Sequence, residues 1–335
     1  MTNLANQLER ENRFLQARAA VLQGLVQEVD GIGWMLTNLS EAGGEGPEGP
    51  QDQEASADLR AQRTWEHTRQ LLAQSGLDIP AAQPDRRPLV VWLERPAELR
   101  AQFAAMTSQS ARELYKNHVC DANLLLILLQ HDFEVNAVIA KLEDTMGKTW
   151  AWLLALLLWR PDLAAELGTT DLMEGRLMPD QDLWRRVAMR LSPTAEQFAA
   201  VELIEELLGP FHRQLPTNLS YLLSQHQQAL RLATPDQQYV AQDAVVDQMT
   251  SSMHVWHSLL ILQLLFFFVT FTPMQLARVA VAAYPFFMCE GALTEQLQLL
   301  VQAQHLLSPA AASTAAAAAA HPASAPELPE RGYRL

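Results

Sequence analysis

Hydrophobic positions recur every seven residues at the start of the chain. Leu8, Leu15, Leu22 and Val29 stand seven apart, and Met1 lies one heptad earlier. With these as d positions, the a positions are Ala5, Asn12, Ala19 and Val26, so the a/d stripe is apolar everywhere but at Asn12. A seam that repeats every 3.5 residues keeps facing a partner only when two helices supercoil left-handedly. A lone Asn at an a position sets register and favours two parallel strands. The pattern therefore predicts a parallel leucine-zipper coiled coil over 1–39, about 43 Å long through Val29. Its dimer interface would be Ala5, Leu8, Asn12, Leu15, Ala19, Leu22, Val26 and Val29. The g to e′ pairs are Leu4–Glu9, Glu11–Gln16 and Arg18–Gln23, none of opposite charge. Self-pairing thus gains little from the flanks, and a heterodimer stands beside the homodimer. Phe14 and Val21 at c positions and Leu25 at g widen the apolar face. They favour the other reading of this helix, which folds back onto its own body.

The pattern breaks over 40–58 (SEAGGEGPEGPQDQEASAD). Gly, Pro and six acidic residues with no basic counterpart predict an acidic flexible linker there. Beyond it, 59–76 is helical with Gly76 as a stop. Prolines 80, 84, 88 and 96 interrupt the chain, and PLVVWLERP between them could form a short strand. Helical periodicity then runs to about residue 130 and resumes over roughly 133–159, 180–191, 194–208, 217–232, 235–271, 273–289 and 291–307. Pro161, Pro179, Pro193, Pro216, Pro235 and Pro273 fall near helix starts or between helices. The fold class is all-α: an N-terminal parallel coiled-coil helix and a multi-helix domain over 59–307. Residues 308–335, with the Ala run 315–320 and several prolines, read as a disordered tail.

Two apolar runs, WAWLLALLLW at 150–159 and LLILQLLFFFVTF at 259–271, fall short of the ~20 residues of a spanning helix. Gln263 interrupts the second. Both read as buried core helices, with an interfacial segment as the other option, so no stable membrane span is expected. The eight tryptophans, Trp150, Trp152 and Trp159 among them, read as helix-packing anchors.

Composition narrows the function. At 335 residues and 49% hydrophobic content the chain can bury a sizeable core, and its length suggests about two domains. A formal charge of −14, partly a property of the 40–58 segment, argues against nucleic-acid binding through the overall field. Two cysteines, Cys120 and Cys289, exclude a disulfide framework and fit a reducing compartment. The start of the chain shows no signal-peptide pattern.

Candidate chemistry is sparse. His254 and His257, three apart, could share a helix face, yet no adjacent Cys or carboxylate completes a metal set. His118 with Cys120, and His131 with Asp132, match no zinc spacing. No phosphate-binding glycine loop and no G-x-S-x-G occurs. The expectation is no catalytic residues, no metal and no cofactor.

The stretch Leu8-Glu9-Arg10-Glu11-Asn12-Arg13-Phe14-Leu15, an L-x-x-E-N-x-x-L pattern, resembles the zipper start of basic-leucine-zipper (bZIP) transcription factors. WRPDLAAEL at 159–167, LSPTAEQ at 191–197 and FTPMQLARVAVAAYPF at 271–286 resemble, more faintly, helical regions of plant and green-algal bZIP proteins. The resemblance implies a nuclear, or alternatively cytoplasmic, transcriptional regulator that dimerises with itself or with another bZIP protein. Family members read DNA with a basic helix ahead of the zipper, an Asn and an Arg eight apart. Counting back from Leu15 or Leu22 finds Ala5 or Asn12 where that Arg should stand, and from Leu8 the position precedes Met1. No residue of this chain takes that DNA-binding role. DNA would be reached through a missing basic region or through a partner, in a truncated or dimerisation-only form. The other function class is a helical scaffold or membrane-surface protein whose coil serves assembly.

Overall fold

The helix Val135–Trp159 (α5) carries apolar residues on every face from Met146 to Trp159, and the structure, a computed structural model, encloses it accordingly. It describes residues 2–42, 51–74, 89–93, 96–169, 172, 181–230 and 235–307. Among these are eleven α-helices and no β-strand. In chain order they are α1 (Thr2–Ala42), α2 (Gln51–Gln74), α3 (Pro96–Ala104), α4 (Ser108–Gln130), α5, α6 (Pro161–Thr169), α7 (Gln181–Leu191), α8 (Ala195–Ala229), α9 (Pro235–Thr270), α10 (Pro273–Ala283) and α11 (Glu290–Leu307).

A helix that is apolar all round must be covered all round. The run Leu259–Phe271, which closes α9, meets the same requirement, and Leu259, Ile261, Leu264, Leu265, Phe267 and Phe271 are fully enclosed. The two segments pack on each other, and the buried Trp150 donates its indole N–H to the Leu264 carbonyl at 3.2 Å. Around α5 lie α3, α4, α6 and α10; around α9 lie α1, α2, α8 and α11. Within α9, Tyr239–Thr270 is long and apolar enough to cross a membrane by length and composition, and 56% of its most apolar window is buried inside the chain.

Three Thr-x-x-Ser/Gln boxes start α4, α8 and α10, with Thr107, Thr194 and Thr272 as N-caps. The last two boxes are joined. Gln197 and Gln275 exchange side-chain amide hydrogen bonds, each 2.9 Å long. Gln197 also donates to the Thr270 carbonyl at 3.0 Å, and the buried Gln275 donates to the Leu191 carbonyl at 3.2 Å. One amide pair thus ties the end of α7, the starts of α8 and α10, and the end of α9. A second tie sits at Arg160. Its guanidinium forks onto Asp162 (3.0 and 2.7 Å) and takes the carbonyls of Phe103, in the last turn of α3, and of Met106, just beyond it.

Several expectations change. Among the described residues of PLVVWLERP there is no strand: Leu89–Trp92 forms a 3-10 turn, with the Leu89 N–H donating to the buried Glu28 carboxylate at 2.8 Å. Lacking a pairing edge, the segment satisfies its backbone through a side chain instead. The two helices expected over 194–208 and 217–232 are one, α8, with Pro210 and Pro216 inside it. Both prolines face solvent, where water can take the carbonyls they release. The helix expected to reach residue 289 stops at Ala283. Of the segment read as a linker, 40–42 belong to α1 and 51–58 to α2, while 43–50 lie outside the described residues. So do residues 308–335.

Replacing Gln275 by Ala removes the partner of the Leu191 carbonyl and of the Thr272 N–H and one bond of Gln197, and should cost about 1–3 kcal/mol. Because Gln197 has lost that bond by then, a double Gln197→Ala/Gln275→Ala variant should lose clearly less than the sum of the single variants. Urea unfolding of the four proteins measures that coupling.

Candidate assembly surface

α1 divides into two halves that do different things. Its C-terminal half is part of the body: Val21, Leu25, Ile32, Met35 and Leu36 are buried, and so is Glu28. Gly24 packs so closely on α9 that a Cβ there would stand 2.4 Å from Val269 Cγ1. Its N-terminal half leaves the seam face open. Leu8 is 56% and Leu15 63% exposed, and Asn12 and Ala19 are exposed as well.

The heptad explains how both can hold. At about 100° per residue, the body-facing stripe Val21, Leu25, Glu28, Ile32 and Met35 lies roughly 110° around the helix from the a/d seam. These buried positions are c and g in the heptad, the same widened face that the fold-back reading drew on. The seam residues follow from that geometry. Leu8, Asn12, Leu15 and Ala19 are turned to solvent; Leu22 and Val26 are half-buried, with Val26 against the core; Val29 is buried. The side chain of Ala5 lies outside the described residues. The seam expected to run through Val29 is therefore open only in its first part, and Val29 is occupied by the chain's own core.

Of the charges beside the seam, Glu9, Arg10 and Glu11 are exposed and Arg18 is half-buried. Arg18 pairs with Glu206 of α8, and the Arg10 guanidinium lies 5.2 Å from the centre of the Phe14 ring. Gln7 donates to Glu11 at 3.1 Å along the helix.

The other sequence candidates fall elsewhere. His254 does not pair with His257: its ring stacks on His67 of α2 at 6.0 Å, and Thr64 Oγ1 lies 3.4 Å from its Nδ1. Burial, followed by the charges of His67 and Arg63, lowers its pKa. His257 stacks against Trp256, and burial lowers its pKa too. Among the described residues no group of three or more His, Cys, Asp or Glu could hold a metal ion. His118 packs against Trp152, whereas Cys120 is exposed, and His131 caps the end of α4. His257 and Cys289 both border an apolar cavity of about 260 Å³ between α5, α6 and α9, walled by Leu156, Leu157 and Trp256. Trp150, Trp152 and Trp159 are buried packing residues.

The sequence left one arrangement unseen, a polar centre where α8, α9 and α11 meet, formed by Glu205, His212, Gln263 and Gln298. Its single sequence signal is Gln263 standing alone in an apolar run.

The split of α1 has a direct consequence. A Val29→Lys substitution buries an unpaired charge and should cost about 3–5 kcal/mol, whereas Leu8→Lys and Leu15→Lys should each stay within about 0.5 kcal/mol. Denaturant unfolding at low protein concentration reads the difference. No family model, curated protein or solved structure matches this chain.

Proposed function

We propose that this chain is a dimerising regulator of the bZIP kind, pairing through the open N-terminal part of α1 and presenting the helical body as its interaction domain. One observation carries the reading. A heptad seam of Leu8, Asn12, Leu15 and Ala19 stands exposed on a helix whose other end is anchored in the core. Isolated short helices are marginal in water. Anchoring one end of α1 supplies the nucleus, so the free part extends an existing helix. The occupant that fits is a second α1, running parallel, because a buried a-position Asn is satisfied by the same Asn across a two-fold axis. Only the early heptads are open, which makes the homodimer weak and leaves room for a bZIP partner with better-matched flanks. DNA is then reached through a basic helix ahead of the zipper or through that partner, and the compartment is the nucleus.

A second reading, an assembly scaffold without DNA, is favoured by the engagement of the arginines within the chain. Arg10 and Arg18, two of the three in the first thirty residues, are engaged with Phe14 and Glu206.

Sedimentation of the full chain over a concentration series should show a monomer–dimer equilibrium that Leu8→Lys/Leu15→Lys abolishes without changing the helical circular dichroism. In a Cys120→Ser background, Leu8→Cys should oxidise to a disulfide-linked dimer, since parallel pairing places equivalent d positions opposite one another. A chain that stays monomeric at all concentrations, alone and with bZIP partners, overturns the coil. Asn12→Val should tighten association while losing the restriction to two strands, as higher species in the same sedimentation profile.

A further inference from the structure

The short helix α6 packs on α4 and α5, and between it and α9 the chain leaves a cavity of about 260 Å³. Leucines of α5 and α9 form two of its walls, and Phe287 and Met288, just ahead of α11, close another side. The α6 wall is made only of Pro161, two alanines and Gly168. A Cβ on Gly168 would meet nothing within 4 Å, so the wall is open there. Trp256 and Ala165, both exposed, mark the side that communicates with solvent. Folded interiors leave few voids larger than a water molecule, and an unfilled apolar one costs stability in proportion to its volume. Water gains little in such a space, because it needs several polar partners. An apolar cavity of about 150 Å³ takes up a benzene ring, and this one has room for a second ring.

The lining chemistry selects the occupant. Apart from the Cys289 thiol, a weak donor, one polar side chain interrupts the apolar wall, His257 of α9. Its ring stacks on Trp256 with centroids 6.3 Å apart. The imidazole has no hydrogen-bond partner among the described residues, and its nitrogens are not sealed from the surrounding space. Burial, with the charge of His254 acting the same way, lowers the pKa of His257, so the ring is neutral at pH 7. In either tautomer a neutral imidazole offers one donor and one acceptor. Among the described residues no Lys, Arg, Asp or Glu borders the cavity. A charged ligand would therefore lose its hydration without meeting a counter-charge, which is costly. A hydroxyl or N–H group on an apolar body meets a ready partner instead.

We propose that the cavity between α6 and α9 binds a neutral molecule of one or two rings bearing a single hydroxyl or N–H group. That group hydrogen-bonds to the His257 imidazole, while the rings fill the space in front of Gly168. The site is independent of the coil.

Calorimetric titration of the full chain at pH 7 with 2-naphthol tests it, with naphthalene as the probe lacking a polar group and 2-naphthoate as the anionic one. The expected result is saturable binding of one naphthol per chain, at least tenfold tighter than naphthoate, and a melting temperature that rises with naphthol concentration. His257→Leu should weaken naphthol binding about threefold to tenfold, the size of one hydrogen bond, and leave naphthalene binding unchanged. Gly168→Leu fills the open wall and puts a better helix former in α6. It should abolish binding of both probes with no loss of melting temperature. Should one variant fail to fold, the other decides, together with the naphthol-to-naphthoate ratio of the unaltered chain. Absence of saturable naphthol binding, equal binding of naphthoate, undiminished binding in Gly168→Leu, or equal weakening of naphthol and naphthalene by His257→Leu overturns the proposal.

Discussion

Two stretches of this chain, the second half of α5 and the last thirteen residues before Thr272, are apolar on every side, and everything else is arranged to enclose them. Neither can lie at a surface without exposing Trp150, Leu154, Phe266 or Phe268 to water. Packing them on each other covers only one face of each. The remaining faces are closed by helices that are themselves only amphipathic: α4, α6 and α10 on α5, and α2, α8 and α11 on α9. The C-terminal half of α1 is drawn in for the same reason, because Val269 and its neighbours need a cover that the other helices do not provide. The demand for enclosure, rather than any single tie, makes a helix that reads as a free coil into a structural member.

The polar ties then fix how the enclosing helices sit. LSPTAEQ and FTPMQ, two of the stretches that resemble helical regions of bZIP proteins, turn out to be two capping boxes whose glutamines hold one another. WRPD turns out to be a cap and fork centred on Arg160. Glu166 in the same stretch takes Ser108 and Arg112 of α4. The residues named here do packing or capping tasks. The polar centre between α8, α9 and α11 lies outside those stretches. There Gln263 is carried into the interior by the same α9 run that forms the core.

Much of the helical organisation was legible in the sequence. The 3.6-residue periodicity marks the helices, and helix-starting prolines and threonines mark α6, α8, α9 and α10 where they begin. The errors have local causes. Pro210 and Pro216 signal a break only if their released carbonyls are buried, and exposure cannot be read from position. Leu89–Trp92 has strand composition, but a strand needs an edge to pair with, and α1 offers a carboxylate instead. The polar centre was nearly invisible, because its members come from three helices separated by dozens of residues.

The opening heptad was wholly a property of the sequence: the seven-residue spacing of Leu8, Leu15 and Leu22, and Asn12 among them, follow from residue order alone. Which face of that helix meets water did not. The c and g residues of its second half are as apolar as its seam, and a one-dimensional pattern cannot say which stripe finds a partner first. Tertiary structure decided it, because α8 and α9 pack on α1, and Val21, Leu25 and Ile32 are the residues it buries. Burying that stripe rotated the seam's early leucines outward and consumed its last valine.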